Sequence, residues 1–537
     1  MDSTTLAAVF GLLAVLSSAY IYLFSRPAFP RNAPALTSEA FPVIGSLQFF
    51  TKRWDFFQKA MAQSSTGNFS FYAGQYPIIG VAGPEARKVF LENKGLAFAE
   101  GYAAMLGGSP KVKKEAHNPF SEDAGGESGF SAYFNKRLVN MLKGNQLKKG
   151  LPQLLQDARA SLDKLVAEPT NVSEDEHLVS FVVKKTGTIR RMYGTPADSD
   201  IHLYRTDPFD SIYRMVFQFT MRTIACNDIA DDPKTLAKCL QYFETIDGTA
   251  TPWSIMYPWM PLWSKVQRTA AGAKLYMVFK SVVDGRKKSG IRGDDPLQYL
   301  IDQGDDITSI VTFVVGALFA GQLNSGINAA YVLMYLANNS YWLPRVREEV
   351  ISVADRHCPD DSIALKERLM RVPIEAWENE FPLVDMCLKD SIRLQMSGTA
   401  FRKNVTDHEI PINKSGMEVV PAGAYVAWHV GDIHYNPEIY ANPDEWDPAR
   451  YMPDRAEDKK EQYGFMGWGL GRHPCLGMRF AKLEMNVILA FFVAYFDTFT
   501  LSDAQGREVT RIPPTNRNNH TARKPEEKIY IKYKVAA

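Results

Sequence analysis

The stretch Trp468-Gly-Leu-Gly-Arg-His-Pro-Cys-Leu-Gly477 decides the fold. Cys475 lies in a turn crowded with glycine, and the run from Met478 to Phe496 reads as an amphipathic-to-buried helix. A thiol just before a helix N-terminus feels the positive end of the macrodipole, which favours thiolate. Gly469, Gly471 and Gly477 let the backbone come close to something flat and bulky. Arg472 and His473 offer cationic or hydrogen-bonding groups to an anion beside the sulfur, and Pro474 removes one N–H nearby. A lone cysteine in a glycine loop is more often structural; the residues around this one argue for a ligand.

Working outward, the chain has 537 residues, a formal net charge of +1 and 46% hydrophobic residues. That is ample for a large core, and the balanced charge leaves no nucleic-acid footprint. Five scattered cysteines without a CxxC pair suit a reducing compartment and argue against a disulfide framework or zinc cluster. No GxGxxG fingerprint appears, so no flavin or NAD domain is built in.

Ser3 to Ser25 carries no charge. As a helix, Thr4 to Phe24 spans roughly 31 Å, enough to cross a bilayer. Asp2 precedes it; Arg26, Arg31, Lys52 and Arg53 follow, which places the body of the protein in the cytosol. A cleaved signal peptide is the competing reading, but a basic leading region is missing. Residues 1–26 are therefore expected to be a membrane anchor, 27–40 a hinge stiffened by Pro27, Pro30 and Pro34, and 41–537 one catalytic domain. The sequons at Asn68, Asn171 and Asn404 should then stay unmodified.

Phe69–Tyr72 and Pro77–Val81 read as a hairpin, with a helix from Pro84 to Asn93. Gly101–Gly129 reads as a long loop, and Phe130–Leu165 as a basic helical segment carrying Lys136, Arg137 and Lys143. Asp207–Ile229 reads as a helix, and Pro252–Trp263 as a bulky loop or short helix with three tryptophans. Ile307–Ala337 holds no charge over 31 residues, so a second membrane span competes with a core helix. Gln322, Asn324, Ser325 and Asn328 cluster at its middle, which favours a core helix with a polar notch. Phe381–Met396 reads as a helix with Asp390 and Arg393 on one face. Ile410–Val420 and Ala424–His429 read as short strands, and Phe499–Leu501 with Lys528–Tyr533 as a closing pair. His429 and His434 have no acid partners at metal spacing and read as structural.

The order Trp468, Gly471, His473, Cys475, Gly477 resembles the haem-binding signature of the cytochrome P-450 family, with Trp where Phe is usual. The resemblance implies a mainly α fold with small β-sheets and a long central helix over the haem, in one catalytic domain behind an N-terminal transmembrane helix. It implies haem b with Cys475 as axial thiolate, and Trp468, Gly471, Arg472, His473, Gly477 and Arg402 around it, a basic residue of 136–143 also being able to meet a propionate. Ala320-Gly321-Gln322-Leu323-Asn324-Ser325 is similar to the family's oxygen-binding notch, but Leu323 stands where an acid or His is common and Asn324 where Thr is usual. Proton delivery then either runs through Asn324, Ser325 and Gln322 with water or is not needed. Asp390 and Arg393 resemble the family's buried Glu-x-x-Arg pair, one methylene shorter, with Arg450 of Asp447-Pro-Ala-Arg450-Tyr451 as third partner.

The resemblance implies a monooxygenase that inserts one oxygen atom from O2 into a lipophilic terpenoid, steroid-like or other secondary-metabolite substrate. The loop and notch look most like fungal biosynthetic members and the sterol-handling branch. A thiolate ligand favours O–O cleavage. Electrons would come from NADPH through a separate membrane reductase, with cytochrome b5 as a further donor. The reductase would dock near Arg472, Arg479 and Lys482 on a monomer in the endoplasmic reticulum membrane. The alternatives are a haem-thiolate isomerase or dehydratase without a reductase, and a non-enzymatic haem sensor.

Overall fold

The structure, a computed structural model, describes residues 11, 13, 26–38, 40–41, 44–105, 129–167, 203–396 and 398–536. Nearly all of the expected anchor, the centre of the 101–129 loop, the sequon at Asn171, and Ser397 lie outside the described residues.

The longer helices are α1 (Arg53–Gln63), α2 (Gly83–Glu92), α3 (Phe98–Met105), α4 (Gly129–Met141), α5 (Gly144–Ala167), α6 (Pro208–Thr220), α7 (Pro233–Gly248), α8 (Trp263–Ser289), α9 (Ile307–Ala337), α10 (Trp342–His357), α11 (Pro382–Gln395) and α12 (Met478–Tyr495). Their ends follow local chemistry. Asp306 caps α9 by accepting from the Thr308 and Ser309 amides at 2.8 and 3.1 Å. Asp207 caps α6 in the same way, with Pro208 at its first position. Gly290 ends α8 in the left-handed region behind a basic last turn.

The largest sheet has the order β1 (Phe69–Ala73), β2 (Tyr76–Val81), β8 (Tyr425–His429), β5 (Thr399–Asn404), β3 (Leu96–Ala97). Only β2 and β8 run parallel in it. A second sheet joins β11 (Phe496–Ser502) and β12 (Tyr530–Val535) to β4 (Leu203–Thr206). Two small hairpins complete the set, β6 (Ile410–Pro411) with β7 (Val419–Val420), and β9 (Gly469–Leu470) with β10 (His473–Pro474). The architecture is mainly α with small sheets, as expected.

α9 runs through the main core and is flanked by α6, α11 and α12. It is long and apolar enough to cross a membrane, yet most of its residues from Ser309 to Leu336 are buried inside the protein. The core-helix reading holds and the second span falls.

Four local expectations are corrected. Gly101–Met105 belongs to α3 and is not loop. The 130–165 segment is two helices broken at Leu142-Lys143. The 207–229 segment widens into a π-turn at Met221–Ala225 and breaks at Cys226, where the backbone is extended. That widened turn carries Arg222, which donates to Asp157 at 2.8 and 3.0 Å and to Asp231 at 2.6 Å. Residues 410–420 form a small hairpin, not one strand. Asn68 and Asn404 are buried with their amide donors bonded, to Glu418 and to backbone carbonyls, so a glycan fits at neither.

Candidate functional site

The cysteine loop is set by sterics. β9 and β10 pair Leu470 with His473 and Gly469 with Pro474, turning through Gly471-Arg472. Gly469 and Gly471 have φ of +67° and +61°, the left-handed region that favours glycine. A Cβ on Gly469 would stand 2.4 Å from the His473 carbonyl oxygen, and one on Gly471 would stand 2.5 Å from that of Leu91. The Cys475 amide donates to the Trp468 carbonyl at 2.7 Å, which ties the turn shut. Gly477 caps α12, and a Cβ there would meet nothing of the described protein nearer than Leu142 at 4.0 Å. The loop therefore keeps open space beside the sulfur.

Among the described cysteines, Cys475 alone is exposed; the other four are buried. The Gly477 and Met478 amides aim at its sulfur, but burial on its protein-facing side outweighs them and holds the thiol above its ordinary value. The peptide field alone does not make a thiolate here. A metal cation at the sulfur would, since a coordinating thiol loses its proton outright.

Beside the loop stands a cationic group. Arg402 on β5 is 2% exposed, and its guanidinium lies 4.7 Å from the Phe90 ring centre and 4.8 Å from that of Phe98. It donates to the Phe401 carbonyl at 2.8 Å. Burial lowers Arg402 to about 10, and Arg472 adds repulsion. The His473 ring stacks on Phe98 with centroids 5.1 Å apart and is lowered to about 4 by burial, then by Arg402 and Arg472. Arg472 is exposed and hydrogen-bonds around α2, its amide to the Leu91 carbonyl at 3.3 Å and its side chain to that of Asn93 at 3.4 Å. Among the described residues no acid pairs with Arg402, so the donor set suits an anionic group from outside the chain. Arg137, weighed above for the same role, is instead held by Asp305 at 2.6 and 2.9 Å and by Gln303 at 3.1 Å.

On α9, only Ala320 and Asn324 are exposed between Ser309 and Leu336. They are four residues apart, one above the other on one face. The Asn324 amide donates to the Ala320 carbonyl at 3.3 Å. The structure does not bring Gln322 and Ser325 to that face. Gln322 is fully buried and donates to the Tyr213 carbonyl on α6 at 2.8 Å. Ser325 is buried and turns toward Glu484 on α12. Glu484 is 1% exposed and raised to about 8 by burial, which the Ser325 hydroxyl partly opposes. Of the three notch residues, Asn324 alone reaches open space.

The Asp390 cluster is buried, not superficial. Arg393 donates to Asp390 at 2.7 Å through Nε, and its Nη groups reach the carbonyls of His434 and Glu445 at 2.8 Å and Pro443 at 2.5 Å. Asp390 also accepts from the Asp447 amide at 2.6 Å and from the Tyr451 hydroxyl at 3.0 Å. Arg450 stands farther off, its Nε 3.7 Å from Asp390, and pairs with Glu457 at 2.9 Å. Tyr451 and Glu457 were not foreseen. The tyrosine hydroxyl in the Asp447-Pro-Ala-Arg450-Tyr451 element was the one visible signal. His434 and His429 are both buried and lowered to about 3, hence neutral and structural. Arg479 and Lys482 are paired with Glu378 at 2.5 Å and Asp385 at 2.5 Å, so the face around α12 is charge-balanced there.

Comparison with known proteins agrees with this geometry. The chain is 35% identical over 497 residues to the cytochrome P450 monooxygenase AacuE of Aspergillus aculeatus, covering 91% of each. It is 34% identical over 489 residues to the cytochrome P450 monooxygenase nsrP of Aspergillus novofumigatus, covering 90% of this chain and 87% of that one. An obtusifoliol 14-alpha demethylase of Sorghum bicolor is 29% identical over 266 residues, about half of each chain (48% and 51%). P450 proteins bind haem b through a cysteine thiolate and draw electrons from redox partners. The family model for cytochrome P450 matches residues 34–529, and the chain belongs to that family, with its fold and its oxidoreductase chemistry.

Proposed function

We propose that this chain is a haem-thiolate monooxygenase of lipophilic secondary metabolites, with Cys475 as the axial ligand. The observation that carries the reading is the exposed Cys475 thiol at the head of α12, set beside Arg402, Arg472 and His473 with no acid partner for Arg402 among the described residues. Gly469 and Gly471 fix the loop so that the sulfur stays presented, and Gly477 keeps the space beside it open. Arg402 and His473 supply the donors for a propionate, and Arg472 adds charge at the rim. The bound haem supplies oxygen activation, with electrons from NADPH by way of a separate membrane reductase.

The rest falls to the chain. α9 excludes water along its buried faces. Asn324, exposed beside Ala320, holds and orients a water that passes protons into the chamber. Gln322 and Ser325 support α9 from behind, through Tyr213 and Glu484. Asp390, Arg393 and Arg450 lock the core behind the loop.

The membrane reading has support outside the anchor itself. Trp253, Trp259 and Trp263 are exposed at 41%, 47% and 71%, as suits an interfacial aromatic belt. Arg26, the last residue before the hinge, lies over the Tyr72 ring and acts electrostatically on Tyr257 of that same aromatic segment. Residues 1–26 therefore anchor the domain of residues 41–537 to the endoplasmic reticulum, cytosolic side, with 27–40 as hinge.

A second reading, a haem-thiolate isomerase or dehydratase without a reductase, has one observation in its favour: no carboxylate stands on the exposed stripe of α9. Turnover under labelled dioxygen with reductase and NADPH decides. One labelled oxygen atom in the product upholds the monooxygenase, whereas product formed without NADPH or oxygen overturns it. Asn324→Ala should raise NADPH consumed per product several-fold, while Gln322→Leu should not.

A further inference from the structure

Arg53, on the first turn of α1, is 6% exposed, and among the described residues no acid pairs with it. Its Nε donates to the Phe49 carbonyl at 2.9 Å, and its guanidinium lies 4.5 Å from the Phe49 ring centre and 5.8 Å from that of Phe401. Aromatic faces offset part of the cost of burying a cation; they do not replace a counterion. Asp55, the nearest acid in sequence, is turned outward and takes a hydrogen bond from Asn518 at 3.1 Å.

The groups around Arg53 are also donors or uncommitted. Thr399 on β5 pairs across the sheet with His429 on β8. Thr399 and Phe401 lie on one face of the strand, and Arg402, one residue on, lies on the other. His429 Nδ1 accepts from the Gly431 amide at 3.1 Å, which leaves the proton of the neutral ring on Nε2. Neither that nitrogen nor the Thr399 hydroxyl has a partner, and both are buried. His520 closes the group from the loop between β11 and β12. A Cβ on Gly398 would stand 3.0 Å from its carbonyl oxygen. The same loop reaches α9 through the Tyr331 hydroxyl on the Arg523 carbonyl, 3.4 Å, so it bridges α1, β5 and the central helix. His429 is lowered to about 3, by burial first and then by the charges of Arg53, His434 and Arg517. His520 keeps an exposed edge, and packing around its ring together with Arg53 and Arg523 lowers it as well.

We propose that Arg53, flanked by Thr399, His429 and His520, is the anion-binding end of the substrate chamber and takes an ionised carboxylate of the substrate. The subsite lies on the opposite face of β5 from Arg402 and is separate from the donors assigned to a propionate. It rests on the reading of the chain as a haem-thiolate enzyme with an enclosed chamber. A charge-assisted hydrogen bond there fixes one end of an otherwise apolar molecule and so sets which carbon faces the reacting centre.

The test is calorimetric titration of the haem-loaded full-length chain at pH 7.4 with anthracene-2-carboxylate and with its methyl ester. The acid should bind about tenfold more tightly than the ester. Arg53→Gln should abolish that preference and leave ester affinity within about twofold. Thr399→Val, a milder change, should cut the preference a few-fold and stands in if Arg53→Gln does not fold. Equal affinities in the unmodified protein, no measurable binding of the acid, or a preference that survives both substitutions overturns the subsite. Binding heat does not depend on turnover. Failed oxygenation with an intact acid preference therefore counts against the reaction alone, and working oxygenation with no preference counts against the subsite alone.

Discussion

Two buried polar clusters, one behind the cysteine loop and one inside the central helix bundle, are built on opposite terms. Behind the loop, Asp390 takes hydrogen bonds from Arg393, Tyr451 and the Asp447 amide, and Arg450 is matched by Glu457. Only the Arg450 Nε lacks a partner. Between α6, α9 and α12 the groups are neutral, or made so, and loosely joined. The Thr220 hydroxyl, the side-chain carbonyl oxygens of Gln322 and Asn328, and one Glu484 oxygen all lack partners. A closed charged network behaves as a lock, because removing one member strands another charge in the core. An open neutral set strands no charge, so it can be altered at smaller cost.

The largest expected effect lies between the clusters, at the loop that both support. Cys475→Ser should abolish the long-wavelength band of the reduced, carbon monoxide-bound protein, together with all oxygenation, while far-ultraviolet circular dichroism stays unchanged. A retained band would assign the ligand elsewhere and leave the clusters without a common centre.

Next, the clusters can be set against each other directly. Arg393→Ala breaks the lock and should cost about 3–5 kcal/mol, read by denaturant unfolding of the haem-loaded protein. Gln322→Leu removes a side chain whose carbonyl oxygen already lacks a partner and should stay within about 1 kcal/mol. Equal costs would erase the distinction.

A smaller effect separates the clusters by pH. Glu484 ordinarily titrates near 4.5 and is raised to about 8 by burial. Between those values the folded chain keeps a proton that the unfolded chain has released. Stability present below pH 4.5 is therefore lost progressively as pH rises, until about pH 8. Glu484→Gln removes that loss, so its stability relative to the parent should climb over the same window, by a few kcal/mol at most. Thermal unfolding at pH 5, 6.5 and 8 measures it, and a constant difference would mean Glu484 is already ionised in the fold.

The loop was legible in the sequence because its rules are steric. Gly469 and Gly471 must be glycine, and the order Trp468, Gly471, His473, Cys475, Gly477 sets this cysteine apart from a structural one. The ends of α9 were legible because an apolar run stops at the charged Asp306 on one side and at the polar Asn338-Asn339-Ser340 on the other. The notch was misread, and the reason is angular. Gln322 and Asn324 are two residues apart, about 200° around a helix, so they cannot share a face. Closeness in sequence stood in for closeness in space. The 410–420 hairpin was missed because its paired ends are two residues each, too short for any period. Glu457 was missed because its partner is fixed by a loop path that no local pattern records.

The Asp390 lock carries the finest test, because its shorter acid has a visible compensation. A glutamate would reach one methylene farther toward Arg450, whose Nε now stands 3.7 Å from the Asp390 carboxylate. Here the Tyr451 hydroxyl donates to that carboxylate instead, and Glu457 neutralises Arg450. Tyr451 and Asp390 should therefore be coupled. Tyr451→Phe alone removes one hydrogen bond to a charged group and should cost about 1.5–3 kcal/mol. In an Asp390→Glu background the longer acid can accept a hydrogen bond from Arg450 Nε in place of the one from the hydroxyl, so the same substitution should cost about half as much or less. Unfolding of the four proteins gives the coupling directly. Additive costs would mean that Tyr451 serves only as a packed ring, and that the shorter acid is tolerated through Glu457 alone.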